Sequence, residues 1–135
     1  MWHWRSSVLI SLGCAALLGL ASVILPVWIL SPQPYTAPLF PLIRTGVEGM
    51  SYLTILFLFV SGLLLGFVGA GHPLLLGLAS MILFPCLAIA EMVVSPTSHN
   101  LWPLEFALYG LISLCAVFGA FLGRFLQKRA LKNDV

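Results

Sequence analysis

Charge is what this chain lacks. Only 7% of its residues are charged, six basic and four acidic among 135, where a soluble domain carries about 25%. That scarcity argues against a soluble fold. A net charge of +2 gives no stripe of basic side chains for nucleic acid. The three cysteines, Cys14, Cys86 and Cys115, fall in three different apolar runs with no metal-ligand spacing. They predict neither a disulfide framework nor a zinc site and read as small membrane-buried hydrophobes. Chemical motifs are missing too: there is no His-Glu-x-x-His, no Gly-x-Ser-x-Gly and no phosphate-binding loop.

What the chain has is apolar length. Hydrophobic residues make up 61% and the mean hydropathy is +1.10. Four runs stand out, at 8–30, 49–69, 73–94 and 104–125. Each supplies the roughly 20 residues that cross a hydrocarbon core of about 30 Å at 1.5 Å per residue. Backbone in lipid must satisfy its own hydrogen bonds, and runs without period-2 alternation favour helices over a barrel. The expected fold is therefore an all-α integral membrane protein, a single domain over 1–135 with four transmembrane helices. Trp2-His3-Trp4-Arg5 resembles a short basic leader. The run that follows is too long for a signal-peptide core of roughly 7–15 residues, so it is read as a retained membrane helix.

The runs look duplicated. Gly19-Leu20-Ala21-Ser22-Val23-Ile24-Leu25-Pro26 returns as Gly77-Leu78-Ala79-Ser80-Met81-Ile82-Leu83-Phe84-Pro85, with one residue inserted before the proline. Glu48, Tyr52, Gly62 and Gly66 return as Glu105, Tyr109, Gly119 and Gly123, always 57 residues later (105 minus 48, and so on). This pattern predicts two tandem helical hairpins, over about 8–70 and 73–130, entering the membrane in the same direction as parallel repeats. At 100° per residue the four repeated residues of each copy share one helix face. Gly62-x-x-x-Gly66 and Gly119-x-x-x-Gly123 are steps that let helices approach closely in lipid. They predict packing between helices two and four, with a homodimer seam as the alternative. Pro26 and Pro85 should each bend their helix.

The basic residues give orientation. Arg5 precedes the first run, and Arg124, Lys128, Arg129 and Lys132 cluster at the end of the last, whereas the opposite loops hold only Arg44. The positive-inside rule then predicts a multi-pass protein of the inner or plasma membrane with both termini cytoplasmic. Trp28, Tyr35, Tyr52, Trp102 and Tyr109 would lie near the outer interface.

With that orientation the polar residues Arg44, Glu48, Glu91, His99, Asn100 and Glu105, with Tyr52 and Tyr109, gather at the outer face. The segment 31–47 contains Pro32, Pro34, Pro38 and Pro41 and is expected to be extended. Thr45-Gly46-Val47-Glu48 has the spacing of a capping box for helix two. Glu105, just after Pro103, suits the positive end of the fourth helix. Glu91 has no such explanation: it falls in the last turn of helix three, where the dipole disfavours an anion. An intramembrane carboxylate is a functional candidate with a partner to be named. Arg44 and His99 are the expected partners, and an Arg44–Glu91 pair locking a loop onto the bundle is the structural alternative.

These residues support three functions in order. First is a binding or accessory subunit, alone as a homo-oligomer or within a larger membrane complex. Second is an oligomeric proton-coupled transporter or channel using Glu91. Third is a membrane enzyme or metal site at the outer face, with Glu91, His99 and Glu105 as weak ligand candidates. No catalytic residue and no cofactor is assigned, and the lipid bilayer is the one partner the composition implies.

Overall fold

The computed structural model describes residues 2–30, 33–37, 39–96 and 101–133. Within them the chain is all-helical, with no strand. The helices are α1 (Trp2–Leu30), α2 (Pro41–Glu48), α3 (Tyr52–Val68), α4 (Pro73–Ala79), α5 (Leu83–Val94) and α6 (Trp102–Asn133). Three stretches are long and apolar enough to cross a membrane: Ser6–Leu30, Pro73–Val94 (α4 with α5) and Trp102–Lys132. The pair α2 and α3, bent by 99°, would make a fourth if taken as one broken span.

The segment before α3 departs from expectation. It is not extended throughout, because Pro41 opens α2 as its first residue, where a missing N–H costs nothing and the fixed φ is already helical. Thr45 is not the cap of the following helix. It sits near the end of α2, where its Oγ1 donates to the Pro41 carbonyl at 2.7 Å and accepts from the Tyr35 N–H at 3.0 Å. The cap of α3 is Ser51, which accepts from the Thr54 N–H. Glu48 therefore ends α2 instead of opening the next helix, and it does not share a helix with Tyr52, Gly62 and Gly66. Tyr52 is 73% exposed while Gly62 and Gly66 are buried, so the tyrosine, at the start of α3, is not covered by the partner helix as the glycines are.

The glycines make the central contact. A methyl group on Gly62 would overlap the backbone carbonyl of Ala116, and one on Gly66 that of Ala120. In return, methyls on Gly119 and Gly123 would overlap the carbonyls of Phe59 and Leu63. Successive contacts advance by four residues on both helices, so α3 and α6 run parallel, backbone against backbone. Backbones this close gain dispersion energy along the whole contact.

The other helices pack around that pair. Gly19 of α1 meets the backbone at Ser80, and Gly77 of α4 meets Val117 of α6. The core of Val23, Leu58, Met81, Phe84, Tyr109 and Ala116 draws on α1, α3, α5, α6 and the joint between α4 and α5. Ser22 of α1, buried, donates to the Leu18 carbonyl and shares a 3.0 Å hydrogen bond with Ser61 of α3.

The two prolines act differently. α1 continues through Pro26. The second span loses α-helical form over 80–82, just before Pro85. There Ser80, Met81 and Ile82 donate to Gly77, Leu78 and Ala79, three residues back. Pro85 has no N–H for the Met81 carbonyl, which accepts from Phe84 instead, at 3.2 Å. This short turn with bonds three residues back lies just before α5.

At the other end of the bundle, the turn 69–72 joins α3 to α4. Gly71 has φ +117°, a left-handed conformation that favours glycine. Ser11 of α1 accepts from the Ala70 N–H at 2.9 Å. The Arg124 guanidinium of α6 donates to the carbonyls of Gly69 at 3.1 Å and Gly71 at 2.6 Å.

Candidate functional site

The end of the bundle that carries α2 holds a cavity of about 360 Å³, within the size range of small-molecule pockets. Three elements and one loop residue build it. Amphipathic α2 turns Ile43 and Val47 toward the bundle, with Arg44 and Glu48 beside them and its cap residue Phe40 in front. α5 contributes Phe84, Leu87, Ala88 and Glu91, α6 contributes Glu105, Leu108 and Tyr109, and Tyr35 reaches in from the preceding loop. The walls are apolar, and charge is confined to one guanidinium and three carboxylates.

Glu91 is 97% buried, although it lies in the last turn of α5. Its Oε1 accepts from the Phe40 N–H at 3.0 Å and the Leu39 N–H at 3.4 Å. These amides open α2, whose cap residue, Phe40, offers no side-chain acceptor of its own. A carboxyl group from another helix thus binds the amides that lead into α2 and sits at the positive end of the α2 dipole. Backbone amides are thus partners of Glu91 that the charge pattern alone did not suggest.

Arg44 Nε pairs with the Glu48 carboxylate one turn along α2. Both side chains are partly exposed, so this pair adds little stability. Glu48 thereby sits at the negative end of α2, with Arg44 as its counter-charge, in place of the capping role expected for it. Glu105 occupies the first turn of α6. Tyr109 is buried, 5.8 Å from the ring of Phe84 and 6.2 Å from that of Phe106. It is within electrostatic reach of Glu105, Arg44, Glu91 and Glu48.

Of the residues singled out from the sequence, Arg44, Glu48, Glu91, Glu105 and Tyr109 share this cavity. Tyr52 stands apart on the surface, and Gly62, Gly66, Gly119 and Gly123 form the α3–α6 contact. His99 and Asn100 lie outside the described residues. Among the described residues no three His, Cys, Asp or Glu side chains are grouped to hold a metal ion. Sequence reasoning missed Tyr35 and the apolar face of α2. The signal was present as Ile43 and Val47 four residues apart, alongside Arg44 and Glu48 with the same spacing.

No family model matches the chain, and no curated protein or solved structure matches it either.

Proposed function

We propose that this chain is a binding or accessory subunit of the inner or plasma membrane, and that the α2–α5–α6 cavity is where it holds its partner. The cavity carries the reading. It joins an apolar interior to a charged rim, as suits an apolar side chain or short segment of a larger membrane protein whose polar end stays near the interface.

The membrane reading rests on the long apolar helices and on large hydrophobics exposed around the bundle, among them Leu9, Leu17, Val68, Val93 and Phe118. Lipid covers such surfaces in an integral protein. The α2–α3 pair would be one span preceded by an interfacial helix, giving four spans with the cavity outside. Both termini would be cytoplasmic, next to the basic end of α6.

The duplication into parallel hairpins belongs to the same proposal. Its support is reciprocity: Gly62 to Ala116 matches Gly119 to Phe59, and Gly66 to Ala120 matches Gly123 to Leu63, under the same 57-residue shift. An approximate two-fold axis between α3 and α6 generates that pattern.

Native mass spectrometry of the protein released from its own membrane tests the binding role. A stoichiometric larger partner is expected, lost on Leu108→Trp, which would fill the cavity, and kept in Gly110→Ala, where added bulk meets open space. A lone chain in every preparation sinks the proposal. The transport alternative places a proton on Glu91. The commitment of this carboxylate to backbone amides favours a lock over a shuttle. Unchanged proton flux in Glu91→Gln proteoliposomes would remove that alternative.

A further inference from the structure

A second cavity, of about 900 Å³, lies at the opposite end of the bundle, between the 69–72 turn and the last turns of α6. Its polar side chains are Arg124, Lys128 and His72, and no acidic residue lines it. Arg124 is committed to structure. Besides the Gly69 and Gly71 carbonyls it donates to Gln127 at 2.9 Å. Covering those carbonyls removes acceptor dipoles that would repel an anion and leaves positive charge in their place.

His72 adds a donor. Its Nδ1 accepts from the Leu74 N–H at 3.3 Å, so a neutral ring carries its proton on Nε2. The ring stands edge-on to Phe121, with centroids 6.0 Å apart. Val68, Phe121 and Phe125 complete the walls and are exposed. An exposed ammonium and an imidazole N–H thus sit beside apolar surface at a helix-bundle edge.

We propose that this cavity binds the phosphate of an anionic phospholipid. Lys128 and His72 contact the phosphate oxygens, and the acyl chains lie along Val68, Phe121 and Phe125. The inference rests on the chain being embedded in a membrane with this end on the cytoplasmic side, the side on which basic pockets between helices meet anionic headgroups. Arg129 provides an internal control. It is on the same helix, but its guanidinium lies over the Phe125 ring, 4.4 Å from the centroid, and it does not line the cavity.

The test uses the full chain in nanodiscs of mixed phosphatidylglycerol and phosphatidylcholine, with lipid retention read by native mass spectrometry on gentle release. Preferential retention of one phosphatidylglycerol is expected. The combined variant Lys128→Gln with His72→Asn, which keeps a capping acceptor at 72, should lower that retention about tenfold, the scale of one charge-assisted hydrogen bond. Arg129→Gln should leave it within about twofold. Equal loss in Arg129→Gln would mean a diffuse basic tail, and equal retention of both lipids would mean no headgroup site; either result overturns the proposal. Displacement of the lipid by millimolar inorganic phosphate would assign the cavity to free phosphate and also overturn it. Failure of the chain to enter nanodiscs at all would instead count against the membrane reading, and unchanged helical circular dichroism separates loss of binding from loss of fold.

Discussion

Removing the Glu91 carboxylate should release α2 from the bundle while leaving the rest of the fold standing. The Phe40 N–H to Glu91 bond, 3.0 Å long, is made by a buried side chain, and removing its acceptor leaves the amide unsatisfied at a cost of about 1–3 kcal/mol. The Leu39 bond, at 3.4 Å, adds little. Placing the anion at the start of α2 adds about 0.3–1 kcal/mol more from the dipole. Glu91→Ala should therefore raise the free energy of docked α2 by about 1.3–4 kcal/mol, which is roughly 10- to 1000-fold faster local opening. Glu91→Gln keeps an acceptor oxygen and loses the charge, so about half that cost is expected. Amide hydrogen exchange in nanodiscs reads this directly. Residues 39–48 should exchange faster in the order wild type, Gln, Ala, with the α3–α6 seam unchanged. Exchange of Phe40 and Arg44 within about twofold of wild type in Glu91→Ala would refute the capping role. Equal acceleration along α6 would show that Glu91 supports the whole bundle.

Gly62→Ala and Gly119→Ala each force a methyl into a facing carbonyl and should cost about 1–3 kcal/mol by overpacking. Gly13→Ala and Gly110→Ala, with nothing within 4 Å, should be neutral or stabilising by up to about 1 kcal/mol; thermal unfolding in detergent ranks the four, and no difference between the pairs would refute the seam. Gly71→Ala meets only Val8 methyls, the nearer at 3.6 Å. Its expected loss of about 1–2 kcal/mol in the same assay is therefore backbone strain alone, and an unchanged melting temperature would contradict it. Cys14 and Cys86 are exposed on apolar helices. In intact vesicles they should resist a water-soluble maleimide and react once detergent strips the lipid, so rapid labelling before detergent would argue against both spans.

The sequence was legible where physics depends on composition over many residues. The apolar runs locate the long helices because their length and lack of charge are hard to reconcile with anything else. The glycine steps locate the α3–α6 contact because only a missing Cβ permits such an approach. Failures came where short patterns compete. Four prolines made 31–47 look extended, although Pro41 sits at the one helical position that suits it. Thr45-x-x-Glu48 and Ser51-x-x-Thr54 are both short capping patterns within a few residues, and only the second caps α3. The partner of Glu91 was sought among charged side chains. Two of its contacts are with the amides of Leu39 and Phe40, and nearly every residue carries such an amide, so no sequence signal marks them.

Under the proposed duplication, the limits of the 57-residue correspondence account for a cavity at one end and on one side. It holds through the glycine seam and fails near Tyr52 and Tyr109. Tyr52 begins α3 immediately after the 99° bend from α2 and is 73% exposed, whereas Tyr109, a full turn and more into uninterrupted α6, is 6% exposed. The stretch before α3 forms α2, whose start is held to α5 by Glu91. Glu91 itself has no acidic counterpart in α1, where the matching segment contains no carboxylate. A strictly two-fold bundle would carry equal outer sites on both sides. Here α2 lies over one side of the bundle and α5 supplies the carboxylate that holds it, and the space between α2 and the bundle is the cavity. Selection for binding would therefore act on the contacts between α2, α5 and α6, while the seam between α3 and α6 serves as the frame on which they are held.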